Sequence, residues 1–407
     1  MVFFMALIVK KFGGTSVADA DCIRRVAGIV ADDYAEGHDI IVVLSAQGDT
    51  TDDLIEKAGE LNATPSRREL DMLLATGEQV SIALMAIALE KMGLPVISLS
   101  GRQAGIRTNS DHGNARIERI DVERIKNELD RRTIVIVAGF QGVDKFDDPT
   151  TLGRGGSDTT AVAVAAVLHA DRCQFYKDVE GVLTCDPRKV PGAQKLDEIT
   201  YDEMMELASL GAQVLHNRSV QMAKRYGVEL EVRSSFEPRK RGTIVKEVTN
   251  LEKTRISGVA KDTNTARIAI IGLRDEPGIA FKLFRVLSKE KIVVDIILQS
   301  IGRDNSKDIS FTVAKSDLDA AVTALENQKQ ALGFEKLDVS DTVAKVSIVG
   351  AGMMTASGVA TMMFEALYDA KVNINMISTS EIKISVLVHE EEADRAVAAI
   401  HRKFFED

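Results

Sequence analysis

Lys11-Phe12-Gly13-Gly14-Thr15-Ser16 follows the apolar run Leu7 to Val9 and precedes a helical pattern at Asp19 to Tyr34. Glycines there let the backbone approach a phosphate, and the helix start adds N–H donors and a favourable dipole. Lys11 brings a cation able to neutralise a phosphoryl group in transfer. The spacing matches neither the P-loop nor the dinucleotide fingerprint. An ordinary strand-to-helix turn is the plain alternative. A second loop, Thr151 to Thr160 (TLGRGGSDTT), also precedes an apolar helix. Its three glycines are costly to order for structure alone. Arg154 can grip a carboxylate with two hydrogen bonds, Ser157 and the backbone amides can hold an anion, and Asp158 can serve as a helix N-cap.

Three further stretches carry polar groups where ligands bind. Ser45 to Asp52 (SAQGDTTD) lies at the carboxyl end of an apolar strand, the ligand edge of an open parallel sheet. Its hydroxyls suit a small polar substrate, and a plain turn with an N-cap is the alternative. Gly77 interrupts a long helix beside Glu78. A mid-helix glycine costs about 1 kcal/mol against alanine, so it hints at close approach by a ligand or another backbone. Glu78 would then face a ligand amine; otherwise it is a solvated surface residue. Tyr176 to Arg188 (YKDVEGVLTCDPR) is a polar loop after a buried strand and suits a nucleotide cradle.

These loops need a scaffold, and the pattern up to about residue 235 supplies one. Continuous apolar runs at Ile40 to Leu44, Val96 to Leu99, Ile134 to Ala138, Cys173 to Tyr176 and Val228 to Val232 alternate with helical patterns, the longest at Arg67 to Lys91. Strands of this kind between helices mean a mostly parallel sheet covered on both faces. Ser234 to Lys253 is polar and basic and reads as the exit from the first domain. Beyond it the chain repeats: Arg267 to Gly272 (RIAIIG) resembles Lys345 to Gly350 (KVSIVG). Gly278, Phe284, Lys291 and Ser300 recur at one offset as Gly358, Phe364, Lys371 and Ser380. The expected domains are 1–250, 262–340 and 341–407, the last two copies of one small α+β unit.

Composition narrows the function. The 407 residues carry a net charge of −10, which argues against a general nucleic-acid binder. Cys22, Cys173 and Cys185 form no CxxC pair or zinc spacing, as expected of thiols in a reducing compartment. No secretory leader is evident and no apolar run approaches the ~20 residues of a membrane span, so a cytoplasmic protein with no membrane partner is expected.

Taken together and in order, Lys11 to Val17, Leu44 to Leu54, Leu74 to Val80, Gln103 to Thr108, Phe140 to Val143, Thr151 to Val162, Tyr176 to Arg188, Tyr201 to His216 and Val232 to Phe236 resemble the aspartate kinases. The type is the monofunctional bacterial one with tandem ACT domains, and the resemblance covers essentially the whole chain. It implies the amino-acid-kinase fold, an α/β fold with a mostly parallel sheet between helix layers, followed by two α+β ACT domains. It implies transfer of the γ-phosphate of ATP to the β-carboxylate of L-aspartate, giving 4-phospho-L-aspartate, the first step of lysine, threonine and methionine biosynthesis. A carboxylate is already ionised at pH 7 and needs no general base, so catalysis reduces to positioning, metal and charge neutralisation.

By the same resemblance Lys11 and Asp158 are catalytic, and Thr51, Glu78, Arg154, Gly155, Gly156 and Ser157 hold aspartate, with Glu78 at its amine and Arg154 at its α-carboxylate. Lys11, Phe12, Gly13, Gly14, Lys177, Asp178, Thr184, Asp186 and Arg188 would meet ATP. Mg²⁺ would bridge the phosphates, with no dedicated protein cage. The ACT copies imply a homo-oligomer, at least a dimer, and feedback by lysine, threonine or both. Asp275, Gly278, Ile279, Asp295, Gln299, Asn373, Asn375 and Ser380 are the expected regulatory residues. The sequence departs from the family's usual pattern at Gln47, Lys177, Gln213 and Asn217. Another carboxylate kinase of this fold and a non-catalytic ACT sensor of amino acids are the competing readings.

Overall fold

The computed structural model describes residues 5–211, 214–247, 256–300, 306–354 and 357–406. The chain divides into two units: Met1–Leu183 with Lys195–Glu252, and Thr184–Gln194 with Lys253–Asp407.

In the first unit the elements run β1 (Leu7–Phe12), α1 (Ala20–Ala35), β2 (Asp39–Leu44), α2 (Thr50–Leu61), α3 (Arg67–Lys91), β3 (Val96–Leu99), β4 (Ile106–Thr108), β5 (Ile117–Ile120), α4 (Glu123–Leu129), β6 (Ile134–Ala138), β7 (Gln141–Val143), β8 (Pro149–Thr151), α5 (Gly156–Leu168), β9 (Arg172–Lys177), β10 (Glu198–Thr200), α6 (Tyr201–Ser209), α7 (Asn217–Tyr226), β11 (Leu230–Ser234) and β12 (Thr243–Lys246). The main sheet has the order β10-β12-β11-β9-β1-β2-β6-β3. All its pairs are parallel except β11–β12. β-branched residues crowd its centre because both faces are covered. Ile8, Phe12, Ile40, Val42 and Leu44 pack toward α1 and α3. The alternate residues of the same strands face the other way, as the two-residue pleat requires. A small sheet of order β5-β4-β7-β8 lies beside the main one. Its strands of three or four residues carry too little pattern to be seen in the sequence.

α3 differs from expectation in one respect. By length and composition its most apolar stretch could cross a membrane. Instead, its Leu74, Ile82, Met85 and Leu89 are buried in the unit, together with the charged Asp71 and Glu78. Buried carboxylates held by protein donors mark a core helix of a folded domain.

The second unit comprises β13 (Gly258–Arg274), α8 (Ile279–Lys289), β14 (Ile297–Gln299), β15 (Ser306–Val313), α9 (Leu318–Glu326), α10 (Lys329–Leu332), β16 (Lys336–Val349), α11 (Val359–Asp369), β17 (Met376–Thr379), β18 (Lys383–His389) and α12 (Ala393–Phe405). One sheet, β14-β15-β13-β16-β18-β17, contains both copies of the repeat. The repeat is visible in the backbone: Gly278 and Gly358 cap α8 and α11 at φ 90° and 91°, and Lys291 and Lys371 both take positive φ. The copies are not consecutive blocks, however. Gly258 to Asp262 pairs with Lys345 to Val349, whereas Arg267 to Ile271 pairs with Lys336 to Ser340. Ile256 and Val259 therefore pack in the core of the second copy, as do Cys185 and Val190 from the earlier excursion. A division of the chain at residue 250 would assign that excursion to the first unit.

Candidate active site

The pleat of β1 sends neighbouring lysines to opposite faces. Lys10 joins α1, donating to Gln174 Oε1 and Tyr176 OH at 2.9 Å each and pairing with Asp33. Lys11 faces a cleft of about 1070 Å³, roomier than one amino acid needs. Its Nζ lies 2.5 Å from Asp158 Oδ1, and Lys177 Nζ lies 3.6 Å from Asp158 Oδ2. The two ammonium groups come from the ends of adjacent strands, since Phe12 lies opposite Tyr176 in the β1–β9 register. Asp158 is not the cap of α5; Gly155 holds that place and Asp158 stands in the first turn. Burial pushes its carboxyl up, but Lys11 and then Lys177 outweigh that and hold it below the usual carboxylate range. Burial pulls the Lys11 ammonium below its ordinary value, opposed by Asp158.

Glu78 also lines the cleft. It is 2% exposed, and Oε1 accepts the Ala46 N–H at 3.1 Å. Burial pushes its pKa up to about 7. Gly77 explains how the contact forms: a Cβ there would lie 2.9 Å from Ala46 Cβ. The glycine serves the approach of the β2–α2 loop to the helix. Thr51, half-buried in the first turn of α2, lines the cleft from that loop.

The Gly153 to Gly156 turn is built for close approach. Gly153 and Gly155 take φ +74° and +69°, and a Cβ on Gly155 would fall 2.2 Å from His216 Cγ. Arg154 between them is exposed and lines the cleft, as do Gly155, Gly156 and the buried Ser157. Gly139 is required by Ser157, whose Oγ would meet a Cβ there at 2.8 Å.

Most expected substrate and phosphate residues thus meet in one cleft: Lys11, Gly14, Thr51, Glu78, Arg154 to Asp158 and Lys177. Others go elsewhere. The Phe12 ring is in the sheet core, stacked on Tyr176 at 4.5 Å, so only its backbone is left for a ligand. Gly13 adjoins Lys11 without lining the cleft, and Asp178 is exposed on the loop after β9. Thr184, Asp186 and Arg188 belong to the second unit. Thr184 is buried against His401 and accepts the Gln194 N–H, and Asp186 pairs with Arg188. The sequence could not show that the polar loop splits after Leu183, because its later half has one apolar anchor at Cys185 and one at Val190. Gln213 lies outside the described residues.

The regulatory candidates all fall in the second unit. Asp275 pairs with Lys307 at 2.6 Å, and Asp295 pairs with Lys345. Gly278 caps α8, but the Ile279 side chain is in the core of the first copy. Gln299, Asn373, Asn375 and Ser380 are exposed; the Asn375 and Ser380 N–H groups bond Leu387 O and Lys383 O.

Sequence reading missed several residues in and behind the cleft. Asp71, on the same helix as Glu78, accepts from Gly113 N, Thr151 N and Thr151 Oγ1. Arg218 donates to Leu152 O at 2.7 Å and Ala115 O at 2.8 Å, tying two cleft loops from behind. His216 packs under Gly155, and its Nδ1 accepts the Arg218 N–H. Asp71 and Arg218 look in sequence like ordinary polar helix residues, and the partners that give them meaning lie far away in the chain.

A mostly parallel sheet bearing a cleft lined by Lys11 and Lys177, followed by a duplicated α+β unit, fits an amino acid kinase with ACT domains. The family models agree: the Amino acid kinase family matches residues 6–234, and the ACT domain matches 268–328 and 346–404. Aspartokinase 2 of Bacillus subtilis is 49% identical over 401 residues, 98% of each chain. Among solved structures, E. coli aspartokinase III in complex with aspartate and ADP (R-state) superposes with a TM-score of 0.80 at 28% identity, over 98% of this chain and 100% of that one. The same enzyme in complex with lysine and aspartate (T-state) gives 0.77 at 28% identity, over 98% and 99%. This chain belongs to the aspartokinase family.

Proposed function

We propose that the cleft of the first unit holds L-aspartate between Glu78 and Arg154, while Lys11 neutralises the γ-phosphoryl group passing from ATP to the β-carboxylate. The overall reaction is that of the family, an ATP-dependent phosphorylation of the carboxyl group of aspartate. The observation that carries the residue roles is the Lys11–Asp158–Lys177 cluster, two cations around one buried carboxylate at the end of the cleft. A carboxylate acceptor is ionised at neutral pH, so the chain must supply charge and position rather than a base. Asp158 opposes the effect of burial on Lys11 and aims both ammonium groups. Glu78, when ionised, faces the substrate amine; Arg154 and Ser157 take the α-carboxylate; Thr51 closes the side.

ATP phosphates fit against Lys11, Gly14 and Lys177. Mg²⁺ suits this set as an ion that arrives with ATP, since Asp158 is engaged by two lysines and no group of three His, Cys, Asp or Glu occurs among the described residues. It would shield the phosphate charge. The second unit binds lysine, threonine or both as feedback effector and joins two chains, and the enzyme works in the cytoplasm. The E. coli relative's complex with lysine supports lysine as an effector.

Purified protein with ATP and L-aspartate is expected to form an acyl phosphate that hydroxylamine traps. Lys11→Ala should lower kcat by about 10²-fold or more while the far-ultraviolet spectrum stays unchanged. Turnover of glutamate instead of aspartate, or full activity in Lys11→Ala, would overturn these assignments.

A further inference from the structure

We infer that Asp71 is a positioning residue that sets the spacing between the two ends of the aspartate site. The inference rests on the reading that Glu78 and Arg154 grip those ends. Asp71 lies seven residues before Glu78 on α3, two turns along the same face and about 10 Å away by helical rise. It is 1% exposed. One oxygen accepts from Gly113 N at 2.9 Å and Thr151 N at 3.0 Å, with His112 Nδ1 also at 3.0 Å. The other accepts from Thr151 Oγ1 at 2.6 Å. Asp71 borders the cleft, but four polar contacts on its two oxygens commit the carboxylate to the protein.

What it holds is the turn that carries Arg154. Thr151 stands three residues before Arg154, and Ala115 N bonds Thr151 O at 2.9 Å, so β8 and the Gly113 loop move together. A Cβ on Gly153 would lie 3.2 Å from Gly113 O and 3.3 Å from Asn114 Oδ1, so the two loops touch beside the arginine. Helix α3 therefore carries the amine-facing carboxylate directly and the α-carboxylate-facing guanidinium through Asp71. A substrate with both charges at fixed separation is measured along one rigid helix. Lys11 and Lys177 lie on β1 and β9, outside this linkage.

Asp71→Ala leaves three donors unpaired and frees the turn. The expected result is a rise of about tenfold or more in KM for aspartate, with KM for ATP within about twofold. Asp71→Asn can keep an oxygen toward the two backbone N–H groups and its amide toward the Thr151 hydroxyl. It should restore most of the aspartate affinity, and it also serves if the alanine variant does not fold. Equal rises in both KM values would make Asp71 merely structural and overturn the inference. The decisive measurement is the double-mutant cycle with Arg154→Ala. If Arg154→Ala leaves the aspartate KM unchanged, the underlying reading of the site fails. If it raises that KM, the cost of Asp71→Ala should largely vanish in the Arg154→Ala background; full additivity refutes the positioning role.

Discussion

Glu78 is held in two opposing demands. Its surroundings are nearly dry, and its pKa rises to about 7 from 4.5. The folded apoprotein therefore keeps a proton that the unfolded chain releases. Below about pH 4.5 both states are protonated and nothing is lost. As pH rises toward 7 and beyond, stability falls, by about 3 kcal/mol at most for a shift of this size. A substrate amine would reverse the balance by favouring the ionised form. Glu78→Gln should accordingly leave the urea midpoint unchanged at pH 5 and raise it at pH 8, while weakening aspartate binding at pH 8. In the wild type, aspartate affinity should climb through pH 7. An unchanged midpoint at both pH values would remove the burial argument; an unchanged affinity would remove the amine role. Glu78 was legible because Gly77 beside it interrupts a regular helix. Asp71, His216 and Arg218 were not, because their meaning is conferred by donors and glycines contributed from distant loops.

Elements place those groups through backbone clearance as much as through apolar packing. Two helical glycines in the first unit separate the effects. Gly28 in α1 has no atom within 4 Å of a built Cβ, so Gly28→Ala should stabilise the protein by about 1 kcal/mol through helix propensity alone. Gly77 in α3 offers the same gain in propensity, but its Cβ would meet that of Ala46 at 2.9 Å. Neither partner is the tip of a flexible side chain, so the helix and the β2–α2 loop must part. The Ala46 N–H to Glu78 bond then lengthens and Thr51 retreats with the loop. Gly77→Ala should therefore gain no stability and raise KM for aspartate. Urea denaturation of both variants, with kinetics alongside, tests this; equal stabilisation of the two would show that the close approach is not tight. The main strands and long helices were readable because their apolar runs are continuous. The small sheet β5-β4-β7-β8 was not, since strands of three or four residues owe their pairing to neighbours rather than to their own pattern.

At the scale of the chain, the repeat was legible from a constant offset between matching residues, but its interleaving was not. A strand that continues from one copy into the other looks in sequence like a single long strand, and β13 and β16 are both of that kind. The second copy depends on Cys185 and Val190, so its core is closed by chain that leaves the first unit after Leu183 and returns at Lys195. If an amino acid bound to the second unit regulates aspartate phosphorylation, as proposed, its effect must obey linkage. An effector that weakens aspartate binding by some factor is itself weakened by aspartate by the same factor, commonly 5–150-fold, or about 1–3 kcal/mol. Calorimetric titration of lysine, threonine and their mixture, with and without saturating aspartate, should give one factor in both orders. Asp295→Ala, which removes a carboxylate now paired with Lys345, should raise the effector concentration needed for inhibition. It should leave KM for aspartate without effector within about twofold, because an effector acts only through its preference for one state. If neither amino acid, alone or combined, alters aspartate affinity, the duplicated unit serves assembly and not feedback.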